Sequence, residues 1–220
     1  VAIRFDAATD RLLRTANLPD YNAAYTWMAW VYLVADSDQY GGIFLLNRDD
    51  GSDSFDFVGL LSDGVSFGSF VADASGNYTE IDTGSNLTVG AWAHLCAVRS
   101  STTSLQCYVN GVAVGSVNTR KVSGRSAATR MEMGGGYMTA GYGLANVRAA
   151  HIKIWTAALT EGEIYNEMTL ARPIRSANLH IWSPGFPGTQ RTVDYSGNGY
   201  DWTAGGTLTD EDPPAVAWGA

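Results

Sequence analysis

Hydrophobic and polar residues alternate with a period of two in a series of short blocks: residues 2–6, 11–15, 25–34, 42–48, 55–61, 65–72, 78–82, 92–99, 105–110, 113–117, 130–134 and 146–155. That period places alternate side chains on opposite sides of an extended chain, so each block predicts a β-strand with one face in a core. Turn residues separate the blocks. Asp50-Gly51, Asp63-Gly64, Ser75-Gly76, Asn110-Gly111 and the glycine run 134–136 supply positions that accept a positive φ. Closely spaced strands with such turns indicate a sandwich or barrel, and the lack of long helical patterns between them excludes a parallel α/β sheet.

One helix is predicted. Thr160 and Glu163 have the spacing of a capping box, and Leu159, Ile164 and Met168 give an apolar stripe that must end before Pro173. Its expected role is to plug one end of the sandwich. After Pro173 the chain is looser, with a strand expected at 179–182 and an acidic, proline-containing stretch near 210–214. We expect two segments: residues 1–172 as the sandwich, and 173–220 as a strand and extended tail packed on the same domain.

Composition agrees with this pattern. Seven Trp, eleven Tyr and 25 Gly beside 16% charged residues suit aromatic-rich strands joined by tight turns. A formal charge of -8 argues against nucleic acid and against anionic membranes, because phosphate binding needs clustered Lys and Arg. No apolar run approaches the roughly 20 residues that a spanning helix requires, so membrane insertion is not expected. No secretory leader is visible ahead of the first strand block, so a leader was removed or none existed.

The two cysteines, Cys96 and Cys107, fall in neighbouring strands of one expected hairpin, 92–99 and 105–110. A four-residue loop at 100–103 sets them opposite each other. They then form a disulfide in an oxidising compartment or pack as small apolar groups in a reducing one.

Three stretches resemble the laminin-G-like, concanavalin A-like jelly-roll family, relatives of the pentraxins. Tyr25-Thr26-Trp27-Met28-Ala29-Trp30-Val31 is similar to its early aromatic strand. Trp92-Ala93-His94-Leu95 followed by Cys107-Tyr108-Val109-Asn110-Gly111 is similar to its W-x-H … Y-V-N-G hairpin. Ile152-Lys153-Ile154-Trp155 through Leu159-Thr160 and Glu163-Ile164 is similar to its closing strand and helix. The resemblance implies an all-β, two-sheet antiparallel β-sandwich with one short C-terminal helix. The segment 194–199 resembles a D-x-S-G-N-G motif that precedes the first strand in many relatives but follows the helix here. That order resembles stand-alone members from environmental and phage genomes.

Candidate chemistry is sparse. Gly64-Val65-Ser66-Phe67-Gly68 fits the nucleophile-elbow pattern, but strand residues follow where that motif needs a helix. Glu80 and Asp82 form the one strand carboxylate pair outside the Asp-rich turn, and a glycosidase needs two carboxyl groups about 5 Å apart. His94, His151 and His180 share no metal-ligand spacing, and Trp27, Trp30 and Trp155 are expected in the core. Asp49, Asp50 and Asp53 cluster oxygen ligands on one loop, which reads either as a solvated turn or as a calcium site. Asp194, Ser196 and Asn198 mimic half of an EF-hand loop, but Gly205 stands where the bidentate acid is needed, so a structural turn is expected.

Binding through aromatic rings remains, since sugars present C–H faces that stack on exposed rings. The resemblance sets Tyr137 and Tyr142 in a glycine-rich loop at the sandwich rim, and Trp202 lies in a turn-rich tail where partial exposure is expected. The reading is a non-catalytic surface-recognition module that binds glycans or another cell-surface ligand through strand-end loops, with calcium as a candidate cofactor. A structural or decoration protein of a phage virion, with other virion proteins as partners, is the first alternative. A polysaccharide-degrading enzyme is the second. The expected location is extracellular or on a virion surface.

Overall fold

The computed structural model describes residues 1–7, 9–36, 40–47, 55–73, 75, 77–121, 127–134, 142–144 and 146–219. The strands are β1 (Ala2–Phe5), β2 (Arg11–Arg14), β3 (Tyr25–Leu33), β4 (Tyr40–Asn47), β5 (Phe55–Leu60), β6 (Ser66–Ala72), β7 (Tyr78–Asn86), β8 (Trp92–Ser101), β9 (Ser104–Val109), β10 (Val112–Asn118), β11 (Arg130–Met133), β12 (Tyr142–Leu144) and β13 (Val147–Trp155). Helix α1 (Glu161–Thr169) follows, then β14 (Leu179–Ser183), a 3-10 turn (Gly188–Thr192), β15 (Thr203–Gly205) and β16 (Thr209–Glu211).

Two sheets stack face to face. The first runs β10-β9-β8-β3-β13-β1-β16, with β14 also on β13, and the second runs β15-β2-β11-β4-β5-β6-β7, with β12 on β4. Pairing is antiparallel throughout except for β12 on β4. The tail strands divide between the layers: β14 and β16 extend the first sheet and β15 extends the second.

The alternation in sequence becomes the core between the sheets. Ile3, Phe5, Trp27, Val31, Leu95 and Ile154 face Leu12, Phe44, Leu46, Val58, Phe67 and Met133. Trp27 of β3 stacks on Phe44 of β4 with centroids 5.2 Å apart, and its indole N–H points at the Met133 sulfur at 3.0 Å. Trp155 is equally buried but on the other side of the first sheet, and Trp30 is half-buried there.

That outer side is where α1 lies, so the helix covers a sheet face and does not plug an end. Thr160 and Glu163 form the reciprocal capping box that their spacing predicts. Ile164 and Leu159 pack on the outward residues Met28, Cys96, Val98, Tyr108 and Trp155. Beyond the apolar contact, Lys153 rises from β13 beneath the helix. Its ammonium donates to the Glu167 carboxylate at 2.9 Å and to the carbonyls of Glu167 and Leu170 at 2.7 and 2.8 Å. Burial pushes the Lys153 pKa down, and Glu167 partly opposes that.

The expected cysteine pair is corrected by the hairpin's register. Ser101 pairs with Ser104, so the turn holds two residues, and an irregularity between Arg99 and Ser101 shifts the ladder so that Cys107 faces Ala97 while Cys96 faces Tyr108. A one-residue shift sends neighbours to opposite faces. Cys107 sits in the inter-sheet core, Cys96 lies beneath the helix, and both are free thiols.

Candidate functional site

Residues paired across a ladder share a face, which makes the outer side of the second sheet readable row by row. Leu45, Phe57, Phe70 and Glu80 form one row, and Asn47, Phe55, Ala72 and Tyr78 form the next. Although they face away from the main core, Leu45, Phe55, Phe57, Phe70 and Ala72 are buried as a separate apolar cluster. Phe55 stacks on Phe70 at 5.5 Å, and Phe70 stacks on Tyr78 at 4.6 Å with 20° between planes. The stack ends on an open ring, since Tyr78 is 63% exposed.

A polar pair borders this ring ledge. The Tyr40 hydroxyl donates to Glu80 Oε2 at 2.7 Å, and the Tyr40 ring meets the edge of Phe70 at 6.3 Å. Glu80 and Asp82 occupy alternate, same-face positions of β7, and Asp82 accepts the Gly84 N–H at 2.8 Å. The face therefore combines an accessible aromatic surface with hydrogen-bonding oxygens, the pairing of groups that ring-shaped polyols require.

The loop residues expected from sequence relate to this face in different degrees. Asp49, Asp50, Asp53 and Tyr137 lie outside the described residues, although the connection carrying the aspartates leaves the sheet at Asn47 and returns at Phe55, in the Tyr78 row. Tyr142 opens β12 and pairs with Tyr40, which brings its backbone to the edge of the site. Among the described residues no group of three or more His, Cys, Asp or Glu side chains is arranged to hold a metal ion.

Trp202 is not the partly exposed ring expected from its surroundings. It is 4% exposed, its backbone N–H donates to the Thr192 carbonyl at 2.8 Å, and its indole N–H donates to Ser183 Oγ at 2.9 Å. It stands just ahead of β15, which pairs with β2, and its ring packs in the inter-sheet core. Its edge nevertheless borders a shallow cleft of about 640 Å³, shared with Thr189, Arg191, Thr192, Thr207 and Leu208. Arg191 is occupied there by the carbonyls of Gly188 and Leu208 and by Asp210.

The remaining motifs are structural. Ser66 begins β6, and its hydroxyl is held by Asp63 and Asn86; the same bond from Ser66 holds the Asp63 carboxyl below the usual range. Asp194 accepts from the N–H groups of Trp182, Ser196 and Tyr200 and from the Ser196 hydroxyl, so both its oxygens are engaged in closing a turn. The three histidines stand apart, each against a different ring: His94 on Trp30, His151 on Trp218 and His180 on Tyr200. Burial, with Lys153 nearby, pushes His94 down to about 3 and His151 down to about 4.

Tyr40, Phe70 and Tyr78 were not singled out from sequence as site residues. The available signal was the outward register of Tyr78, Glu80 and Asp82, an aromatic residue among acids on one strand face.

The two stacked antiparallel sheets define a concanavalin A-like jelly-roll sandwich. Residues 7–165 match the Laminin_G_3 family model, described as the concanavalin A-like lectin/glucanases superfamily, and the chain belongs to that family. Among solved structures, a proposed carbohydrate binding protein from Bacteroides ovatus superposes with a TM-score of 0.66 at 16% identity, covering 98% of this chain and 61% of that one. The heptameric SAP-like pentraxin from Limulus polyphemus gives 0.61 at 17% identity over 94% of this chain and 93% of that one. Trypanosoma rangeli sialidase gives 0.53 at 12% identity over 66% of this chain but 22% of the enzyme. At these identities the likeness is one of fold. Among curated protein sequences none matches the chain. Among the described residues no helix is long and apolar enough to cross a membrane.

Proposed function

We propose that this protein is a non-catalytic recognition module that takes a glycan, or another sugar-bearing cell-surface ligand, on the outer face of its second sheet. One observation carries the reading: a ring 63% exposed at Tyr78, backed by the Phe70–Phe55 stack, beside the Tyr40–Glu80 hydrogen bond. A backed ring loses little freedom when a sugar face covers it, while Glu80 is placed to accept from hydroxyls. The family's association with lectins supports the assignment. The connections that carry Asp49, Asp50, Asp53 and Tyr137 join strands of this sheet, and calcium is the cation that those aspartates would hold. The module would act outside the cell or on a particle surface.

A glycan array run with and without calcium, followed by calorimetry on the best hit, tests this. Tyr78→Ala should weaken binding about tenfold, because it removes the stacking area, and Tyr78→Phe should retain it. Glu80→Gln should weaken binding with the fold intact. Wild-type affinity in Tyr78→Ala would overturn the assignment of this face. Release of reducing ends from a polysaccharide panel, lost on Glu80→Gln, would overturn the non-catalytic reading.

A further inference from the structure

On the opposite side of the sandwich the chain leaves α1, turns at Pro173 and enters β14. Two cavities, of about 410 and 170 Å³, meet at this turn and share Arg172, Pro173 and Ser176 as lining residues. The larger is closed by Leu170, Ile174 and Gly219. The smaller is walled by Leu179, Trp182, Tyr195 and Ser196. Trp182 pairs with Lys153 in the β13–β14 ladder and so faces outward, away from the inter-sheet core.

Arg172 is the unusual member. The chain is acidic, and the other described arginines are engaged: Arg4 with Asp6, Arg11 and Arg130 with Glu132, Arg99 with Asp56, Arg120 with Asp73, Arg148 with Glu211, Arg175 with Glu163, Arg191 with Asp210, and Arg14 with a carbonyl and the Tyr200 ring. Arg172 is exposed and has no such partner among the described residues. An exposed arginine alone would say little, since such side chains are usually solvated. This one, however, lines both halves of a trough whose other wall is aromatic.

A second unmet group lies in that wall. The Trp182 Nε1 is buried and finds no acceptor among the described residues, while the ring meets the edge of Tyr195 at 6.1 Å. Buried donors are nearly always paired, so this unmet N–H on a residue that lines the smaller cavity would be satisfied by an acceptor brought in from outside the fold. The trough thus offers a planar guanidinium fork, an indole N–H, two aromatic rings and the serines at 176 and 196.

From these groups we infer that the trough around Pro173 is a second ligand site, specific for a carboxylate-bearing sugar of the hexuronate class. The guanidinium of Arg172 engages the carboxylate with two parallel hydrogen bonds, a geometry that a lysine does not reproduce. The sugar ring lies against Trp182 and Tyr195, and a small side-chain shift that uncovers Trp182 Nε1 lets a ring hydroxyl accept from it. The inference rests on the carbohydrate reading for its ligand class but uses residues on the other side of the sandwich.

Calorimetry with digalacturonate, set against its neutral galactose disaccharide counterpart, tests the site on the full chain. The acidic disaccharide should bind at least about tenfold more tightly, consistent with a charge-assisted hydrogen-bonded pair, and should weaken as salt rises. Arg172→Gln should lose that preference, Arg172→Lys should restore part of it, and Trp182→Phe should lower affinity several-fold with an unchanged circular dichroism spectrum. Tyr78→Ala should leave uronate binding unchanged, which separates failure of this site from failure of the other face. Equal binding of the acidic and neutral sugars, no binding of either, or an unchanged preference in Arg172→Gln would each overturn it.

Discussion

Arg99 and Asp56 clasp the two sheets together across the space between them. Arg99 on β8 donates through Nε and one terminal nitrogen to the two carboxylate oxygens of Asp56 on β5, each at 2.7 Å, and both side chains are fully buried. The Tyr25 hydroxyl adds a third bond to Asp56 at 2.9 Å. Such a pair is stabilising only while complete, because either charge left alone must be kept out of water without compensation.

Arg99→Met should therefore destabilise the protein by about 3–5 kcal/mol. Asp56→Leu should cost a similar amount, and the double substitution should cost clearly less than the two single effects added. Urea unfolding of the four proteins measures this coupling. Additive losses would show that the two groups act separately.

Acid should destabilise the fold before the carboxylates begin to titrate. His94 and His151 stay neutral in the folded protein down to about 3 and about 4, through burial and then Lys153. In the unfolded chain they take up protons near pH 6.5. Between those values the unfolded state binds more protons, so stability present above pH 6.5 is lost as pH falls, at up to about 1.4 kcal/mol per pH unit for each histidine. His180, lowered mainly by burial, acts in the same direction. Urea midpoints from pH 7 to pH 5 should fall in the wild type and fall less in His94→Gln. A flat profile would contradict the burial of both rings.

Both thiols should be inert in the folded protein. Burial raises Cys96 well above the ordinary thiol range and pushes Cys107 up to about 12. A thiol-specific reagent at pH 8 should label neither residue until denaturant is added, and then label both. Recovery of an intramolecular 96–107 disulfide by mass spectrometry, whatever the redox history, would contradict the one-residue shift in the β8–β9 ladder.

Asp10 should govern the docking of the tail on the second sheet. Its buried carboxylate accepts the N–H groups of Asp6 at 3.1 Å, Ala7 at 2.9 Å and Thr207 at 2.8 Å, the last from the segment after β15. Asp10→Ala leaves these donors unpaired and should lower stability by about 1–3 kcal/mol. Hydrogen exchange should quicken in residues 203–211 before it does in β3 or β13. Uniform quickening across all strands would show a global effect and no local anchor.

Much of this architecture was legible in the amino-acid order because period-two alternation reports burial on one face; it marked β1 to β11 and β13, whereas β12, three residues paired in parallel with β4, left no such pattern. The capping pair at Thr160 and Glu163 was equally direct, since it depends on residues three apart. What escaped were relations between distant positions. The β8–β9 register turned on one irregular residue, which neither hydrophobicity nor loop length specifies. Lys153 and Arg99 read as charges in apolar strands, and only their partners across the fold explain why burial is tolerated. Trp202 looked exposed because glycine and polar residues surround it, yet its ring packs in the inter-sheet core with its indole N–H on Ser183 of the distant β14. The ring ledge at Tyr78 depends on which residues stack from neighbouring strands, information that a single strand does not carry.

The division of the tail between the two layers has a consequence for cleavage. A protease that nicks the backbone at Arg172 or Arg175 would separate the chain covalently into two pieces, yet the shorter piece supplies β14 and β16 to one sheet and β15 to the other. The fragments would remain associated as a noncovalent complementing pair, co-migrating in native gels and parting only in denaturant.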